Sequence, residues 1–164
     1  MKAVRLTFGG SGDAFGSGAR LQTCLHLEAD GAAEHGSVLI DCGTSSLIGM
    51  QRAGVDPSGV GAVLVTHLHG DHFGGLPFLV LHGQFSRRTR PLLIAGPPGV
   101  RERVETAMEV LFPGSSRVTR RFAVEFFQRF AKGFESEIRV AVGAIDAVQE
   151  GRQIDRLRAR VHEI

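Results

Sequence analysis

A chain of 164 residues is long enough to form about one domain with a buried core. Its apolar fraction of 43% and charged fraction of 22% are ordinary for a globular protein, and a formal net charge of +2 is too small to argue for nucleic-acid binding by itself. The sequence has no apolar run that could span a bilayer, no signal-peptide core and only two cysteines. These features predict a cytoplasmic protein with free thiols rather than a disulfide scaffold or a membrane protein.

The chain opens with two alternating strands, predicted at 3–8 and 20–28, on either side of a glycine-rich loop at 9–18. Such a loop can bring backbone N–H groups close to an anion. Because no P-loop lysine or Rossmann spacing accompanies it, a tight surface turn is an equally good interpretation. His26 lies in the second strand among apolar neighbours, and we expect it to have a structural role.

A short buried strand is predicted over 37–41, ending at Asp41. A carboxylate at the end of a strand can orient a metal-bound histidine, and we expect this role for Asp41; a turn-former beside a glycine is the alternative. A helix is then predicted as far as Ala53, with Ser45 or Ser46 as its N-cap.

Four potential metal ligands follow the next apolar strand, predicted at 62–65: His67, His69, Asp71 and His72. Imidazole and carboxylate are the usual ligands of zinc and similar metals. Side chains alternate along extended backbone, so His67 and His69 project the same way, and the glycine after them lets Asp71 and His72 approach from another side. This arrangement suits two metal ions, each bound by one of these pairs. A histidine-rich loop without metal is the alternative.

The rest of the chain continues the alternation of helix and strand. Helices are predicted over 76–82 and 100–111, with a strand between them at 91–96. Five phenylalanines then recur at roughly helical spacing, which indicates core packing: Phe122, Phe126, Phe127, Phe130 and Phe134. The segment 138–148 could be strand or helix, and the tail at 152–164 is predicted to be a strand with a solvated basic face.

The residues from Thr66 to His72, T-H-L-H-G-D-H, resemble the H-x-H-x-D-H signature of the metallo-β-lactamase superfamily and match it at every defined position. The flanking runs F-G-G-L-P-F-L and P-L-L-I-A-G-P-P-G, and the glycine-rich opening, are similar to the ribonuclease Z branch, so the resemblance covers roughly the first 100 residues. Ribonuclease Z proper usually continues Asp-Cys-Gly with Glu-Gly-Thr-Gln, whereas this chain has Thr-Ser-Ser-Leu at 44–47. That departure points to a less specialised relative.

Alternating strands and helices argue for an α/β fold. The resemblance implies an αββα sandwich with the metal site along one edge of its two sheets. We therefore expect residues 1–164 to be a single metallo-β-lactamase-like domain, the first half of that fold, incomplete at the C-terminus.

The resemblance also implies a metal-dependent hydrolase that takes two zinc ions, with manganese or iron as possible substitutes. Asp71 would bind metal and accept the proton of the attacking water. The substrate would be a small-molecule or RNA phosphodiester rather than a membrane component.

The family site further uses a third histidine, a bridging aspartate and a final histidine. His162 lies near the expected place of the third histidine and is a candidate ligand, whereas His82 is expected to be a surface residue. The other two ligands have no counterpart, so further sequence or a second copy of the chain would have to complete the site. The alternative function is a non-catalytic fragment or interaction module that keeps only half of the metal site.

Overall fold

The computed structural model describes residues 4–30 and 36–128. They form one mixed sheet of six strands whose spatial order follows the sequence. The first three strands pair antiparallel, and the third to sixth pair parallel. The strands are β1 (Val4–Gly10), β2 (Cys24–Ala29), β3 (Ser37–Ile40), β4 (Val60–Leu64), β5 (Leu92–Gly96) and β6 (Val124–Gln128).

Helices make the crossovers between the parallel strands, because parallel neighbours cannot be joined by a tight turn. Helix α1 (Ser46–Arg52) leads from β3 to β4, and α4 (Val100–Leu111) leads from β5 to β6. Between β4 and β5 lie the single-turn helix α2 (Gly70–Phe73) and the longer α3 (Leu76–Phe85). The α/β class and the predicted helices are thereby confirmed, with α3 three residues longer than expected.

One face of the sheet carries the main hydrophobic core. Inward side chains such as Leu39, Val63 and Ile94 are buried together with Leu79 of α3 and Val104 of α4. The strands β4 and β5 are buried on both faces, as their continuous apolar sequences predicted.

The other face of the sheet carries an unbroken apolar row. Strand register places one member of this row on every strand: Phe8, Leu25, Ile40, Leu64, Ala95 and Phe127. Leu64 and Ala95 form a separate small buried cluster, whereas Phe8 is 63% exposed. The sheet is therefore apolar on both faces, and the cover of this second face is poorest at β1.

The strand predicted over 20–28 is present as β2 but begins only at Cys24, and before it Gln22 makes an isolated bridge to Gly12. The core packing predicted for the phenylalanines is confirmed for three of them: Phe122 is buried, and Phe126 and Phe127 pack against buried clusters on opposite faces of the sheet. Their spacing does not correspond to a helix over 124–128, because these residues form strand β6, which pairs parallel with β5. A short apolar run does not distinguish strand from helix, and here the neighbouring strand decides.

Several predictions lie outside the described residues: those for Phe130 and Phe134, for the segments 138–148 and 152–164, and for His162 as a ligand. Over the part of the chain that is described, no helix combines the length and the apolar character needed to cross a bilayer.

Candidate metal site

The candidate site lies at the edge of the sheet where β3 and β4 end. Because these strands are parallel, the residues that follow them meet at the same edge. Asp41 follows β3 and donates its backbone N–H to the carbonyl of Leu64 at 2.8 Å. Its φ of 60° is left-handed, a conformation that aspartate tolerates better than most residues, and it turns the carboxylate towards the loop after β4.

Asp41 is 2% exposed, and its carboxylate accepts hydrogen bonds from two residues of that loop. It accepts from the backbone N–H of Thr66 at 2.8 Å and from the Thr66 hydroxyl at 2.9 Å. It also accepts from Nδ1 of His72 at 2.6 Å. A buried carboxylate needs such donors to offset its desolvation. Asp41 thus fixes both the start of the loop and the ring of His72.

These bonds determine which ring nitrogens remain open. Since the Thr66 hydroxyl proton is donated to Asp41, the contact of 3.1 Å between Thr66 Oγ1 and Nδ1 of His67 requires His67 to be the donor. His72 likewise uses its Nδ1 proton on Asp41. In both histidines the lone pair is then on Nε2, the nitrogen left to act as a ligand. Thr66 was not predicted to have this role; a hydroxyl directly before the first histidine was the available signal.

The four candidate ligands are adjacent. The ring centroids of His67 and His69 are 4.7 Å apart, and those of His67 and His72 are 3.8 Å apart. Nε2 of His72 lies 3.3 Å from Oδ2 of Asp71. The sequence predicted one pair of side chains for each metal ion; in the structure His67 approaches His72 more closely than His69, so the four side chains form one cluster.

The backbones of the two loops are packed tightly together. The N–H of Cys42 donates to the carbonyl of His72 at 2.6 Å, and the N–H of Gly75 donates to the carbonyl of Cys42 at 2.7 Å. Gly43 fits where no larger residue could, because a Cβ there would lie 2.3 Å from the carbonyl oxygen of Asp71. The loop geometry therefore depends on a glycine beside the candidate ligands.

The donor set suits zinc, since neutral imidazoles with open Nε2 atoms and a carboxylate are its preferred nitrogen and oxygen ligands. As the side chains stand, however, no three His, Cys, Asp or Glu residues within 4–30 and 36–128 are arranged to hold a metal ion. The described residues supply oriented donor groups rather than a finished coordination sphere.

The glycine-rich loop after β1 contacts this site through Gln22. The amide of Gln22 donates to the carbonyl of Ala14 at 3.4 Å, and its Oε1 accepts from the Thr44 hydroxyl at 2.7 Å. The backbone N–H of Gln22 donates to the Ser45 hydroxyl at 2.8 Å. Ser45 occupies the N-cap position of α1, as predicted, but its side chain makes no capping hydrogen bond and its hydroxyl accepts from Gln22 instead.

The other described histidines, His26 and His82, and both cysteines are not candidate ligands. His26 is buried on β2, and burial lowers its pKa. His82, expected to be a surface residue rather than a ligand, is half-buried in α3, and its Nδ1 has no hydrogen-bond partner among the described residues. Cys24 and Cys42 are free and buried, and desolvation raises the pKa of each thiol, which makes both poor nucleophiles.

Comparison with known proteins gives a matching family model and similar sequences. The family model of the anti-Pycsar protein Apyc1 matches residues 4–111. The chain is 39% identical over 94 residues to a ribonuclease Z of Agathobacter rectalis. The aligned residues make up 57% of this chain and 29% of that protein. This chain thus spans under a third of that relative.

Two solved structures resemble the fold. The short form of human tRNase Z superposes with a TM-score of 0.63 and 27% identity, covering 77% of this chain and 45% of the other. The metallo-β-lactamase fold protein YhfI from Bacillus subtilis gives a TM-score of 0.56 at 19% identity, covering 79% of this chain and 48% of the other. At that identity the second likeness concerns the fold alone. The described sheet and helices correspond to about half of each structure.

Proposed function

Because the chain belongs to the family of the anti-Pycsar protein Apyc1, within the ribonuclease Z-like part of the metallo-β-lactamase superfamily, we propose that it forms the metal-binding half of a phosphodiester hydrolase. The observation that carries this proposal is the hydrogen bond between Asp41 and Nδ1 of His72, which leaves Nε2 of His72 beside Asp71. A histidine held in this way by a carboxylate is the usual arrangement around a bound zinc ion.

In this proposal His67, His69, Asp71 and His72 hold the metal, which is zinc, with manganese or iron as substitutes. Two ions would occupy the complete site. When bound, they would supply a nucleophilic water at neutral pH and would stabilise charge on the oxygens of the substrate.

The chain's own residues prepare that chemistry. Asp41 and Thr66 keep protons on the Nδ1 atoms of His72 and His67, so both rings present lone pairs to the site. Asp71 is half-buried, and its carboxylate can accept a proton from a water molecule that attacks the substrate. Gly43 keeps the two loops close enough for these groups to act together.

A phosphodiester is favoured over a β-lactam by the ribonuclease names of the relatives. Processing of tRNA ends is less favoured, because Thr44, Ser45 and Ser46 replace the residues usual in ribonuclease Z. Small nucleotide phosphodiesters, including cyclic mononucleotides, need no long RNA groove and are the first substrates to test.

One observation supports a second candidate function, a non-catalytic module that keeps only part of the site. Within the described residues no three potential ligands are arranged to hold a metal ion. A module of this kind would present the loop to a partner without hydrolysing anything.

Zinc stoichiometry and hydrolysis, measured on the same preparation, distinguish the two functions. We expect zinc binding by the full chain, weak hydrolysis of bis(4-nitrophenyl) phosphate and of cyclic mononucleotides, and no hydrolysis of a β-lactam. His69→Ala and Asp71→Ala should each abolish tight zinc binding, whereas His82→Ala should not.

Full zinc stoichiometry in His69→Ala or Asp71→Ala would refute the ligand assignment. Hydrolysis of β-lactams without hydrolysis of phosphodiesters would refute the substrate class. A folded chain that neither binds zinc nor hydrolyses any of these compounds would favour the non-catalytic module.

A further inference from the structure

We propose that Phe15 stacks on the base of the substrate, so that the enzyme prefers nucleotides over other phosphodiesters. This inference rests on the proposed function and adds a residue that selects the substrate. Phe15 is 93% exposed, more than any other large apolar side chain among the described residues. Keeping a phenylalanine in water is costly, which makes this side chain a candidate for contact with a ligand.

The backbone around Phe15 is fixed although its side chain is in solvent. Oδ1 of Asp13 accepts from the backbone N–H groups of Phe15 and Ser17, each at 3.0 Å. The pKa of Asp13 is lowered mainly by hydrogen bonds from Ser17, so the carboxylate remains charged at neutral pH. A phenylalanine on an ordered loop loses little entropy when a planar ligand stacks on it.

The loop that carries Phe15 lies beside the candidate ligands. Gln22 links it to the site, since its side chain bonds to the carbonyl of Ala14, the residue before Phe15, and to Thr44. A Cβ placed on Gly43, the residue before Thr44, would contact both the Gln22 side chain and the carbonyl of Asp71. Gln22 thus joins the loop that carries Phe15 to the loop that carries Asp71, and we place the base of the nucleotide at Phe15 when its phosphate is at the metal site.

The surroundings of Phe15 favour a nucleobase over a protein surface. Apart from Ala14, its loop is otherwise polar or glycine, and the residues at 11, 13, 17 and 20 are exposed polar or charged side chains. A protein interface needs a contiguous buried area of roughly 800 Å² per partner, whereas one aromatic ring suffices to stack a base. Arg20 on the same loop, with Nε 3.3 Å from the carbonyl of Ser17, adds a positive charge suited to a phosphate.

The absence of tryptophan and tyrosine from the sequence makes stacking directly measurable. In Phe15→Trp the new indole is the only strong fluorophore, and AMP, a monoester that a phosphodiesterase leaves intact, serves as the probe. We expect saturable quenching by AMP and none by ribose 5-phosphate, which lacks the base.

The matched control is Phe85→Trp. Phe85 is 77% exposed at the end of α3, next to Ser86, whose hydroxyl contacts Ser58 at the opposite edge of the sheet. AMP should not quench this variant. In a kinetic test, Phe15→Ala should raise KM for a nucleotide phosphodiester about tenfold and leave KM for the corresponding base-free sugar phosphodiester unchanged.

The proposal is overturned if ribose 5-phosphate quenches Phe15→Trp as AMP does, if AMP quenches neither variant, or if it quenches both equally. Emission from Phe15→Trp that changes with protein concentration before any nucleotide is added would assign Phe15 to a contact with a second copy instead. Hydrolysis without AMP quenching refutes this inference alone, whereas quenching without hydrolysis of any phosphodiester refutes the proposed function alone.

Discussion

Replacing Asp41 by asparagine tests whether this residue sets the chemistry of the candidate site. The carboxylate accepts from the Thr66 N–H, from the Thr66 hydroxyl and from Nδ1 of His72. An amide of the same shape can accept through only one of its two end atoms. If its oxygen continues to accept from Thr66, its NH₂ group faces His72, whose Nδ1 must then become the acceptor.

That exchange would move the ring proton of His72 to Nε2, the nitrogen beside Asp71, and would block it as a ligand. Loss of the group that orients a ligating histidine typically weakens metal binding by about 10- to 100-fold. The expected loss for Asp41→Asn is therefore about 1.4–2.8 kcal/mol in zinc binding, at about 1.4 kcal/mol for each factor of ten.

Zinc affinity is measured by competition with a chromophoric chelator, and the tautomer of His72 by long-range ¹H–¹⁵N correlation spectra of the metal-free protein. Asp56→Asn is the matched control, because Asp56 accepts from the backbone N–H of Ser58 at 2.9 Å near the start of β4, away from the ligand cluster. Unchanged zinc affinity in Asp41→Asn, with His72 still protonated on Nδ1, would refute the reasoning.

Three further predictions follow from buried contacts. Gly43→Ala should abolish zinc binding in the same chelator assay, since its Cβ would overlap the carbonyl of Asp71. Gly59→Ala is the control and should bind zinc normally, because there is open space around the new methyl group. Arg88→Met should lower the free energy of unfolding in urea by about 3–5 kcal/mol, because the buried guanidinium donates to four backbone carbonyls; a loss below about 1 kcal/mol would contradict this. Burial lowers the pKa of His26 below 6.5, so the folded state binds fewer protons than the unfolded chain. The free energy of unfolding should therefore fall as the pH is lowered through about 6.5. Urea titrations at several pH values should show this dependence in the natural sequence and not in His26→Gln.

The parts of the fold that could be predicted are those whose signal is local. The apolar strands at β3, β4 and β5 and the amphipathic helix α4 were recognisable because their hydrophobic periodicity agrees with where they are buried. The strand conformation of Phe126 and Phe127 could not be predicted from their spacing, because it is set by pairing with β5, about thirty residues away in the sequence. Local spacing cannot report a partner of that kind.

In the candidate site, too, some features have a local sequence signal and others do not. The density of histidine and aspartate after β4 was sufficient to identify the loop, and the position of Asp41 at a strand end was sufficient to associate it with that loop. The buttressing role of Thr66 and the link through Gln22 depend on hydrogen bonds between residues far apart in the sequence. The same holds for Ser45, whose hydroxyl accepts from the Gln22 backbone instead of capping its own helix.

One additional layer of structure would both cover the apolar row on the second face of the sheet and complete the one-sided cluster of ligands. Phe8 and Leu6 remain 63% and 47% exposed on β1. Covering even about 500 Å² of such a face would contribute on the order of 12 kcal/mol, comparable with the stability of a whole domain. A second layer packed on this face would end near the edge that carries Asp41 and His72, because the ligand loop leaves the sheet at that edge. We therefore expect whatever covers the apolar row, further chain or a second copy, also to supply the ligands that the described half of the site needs.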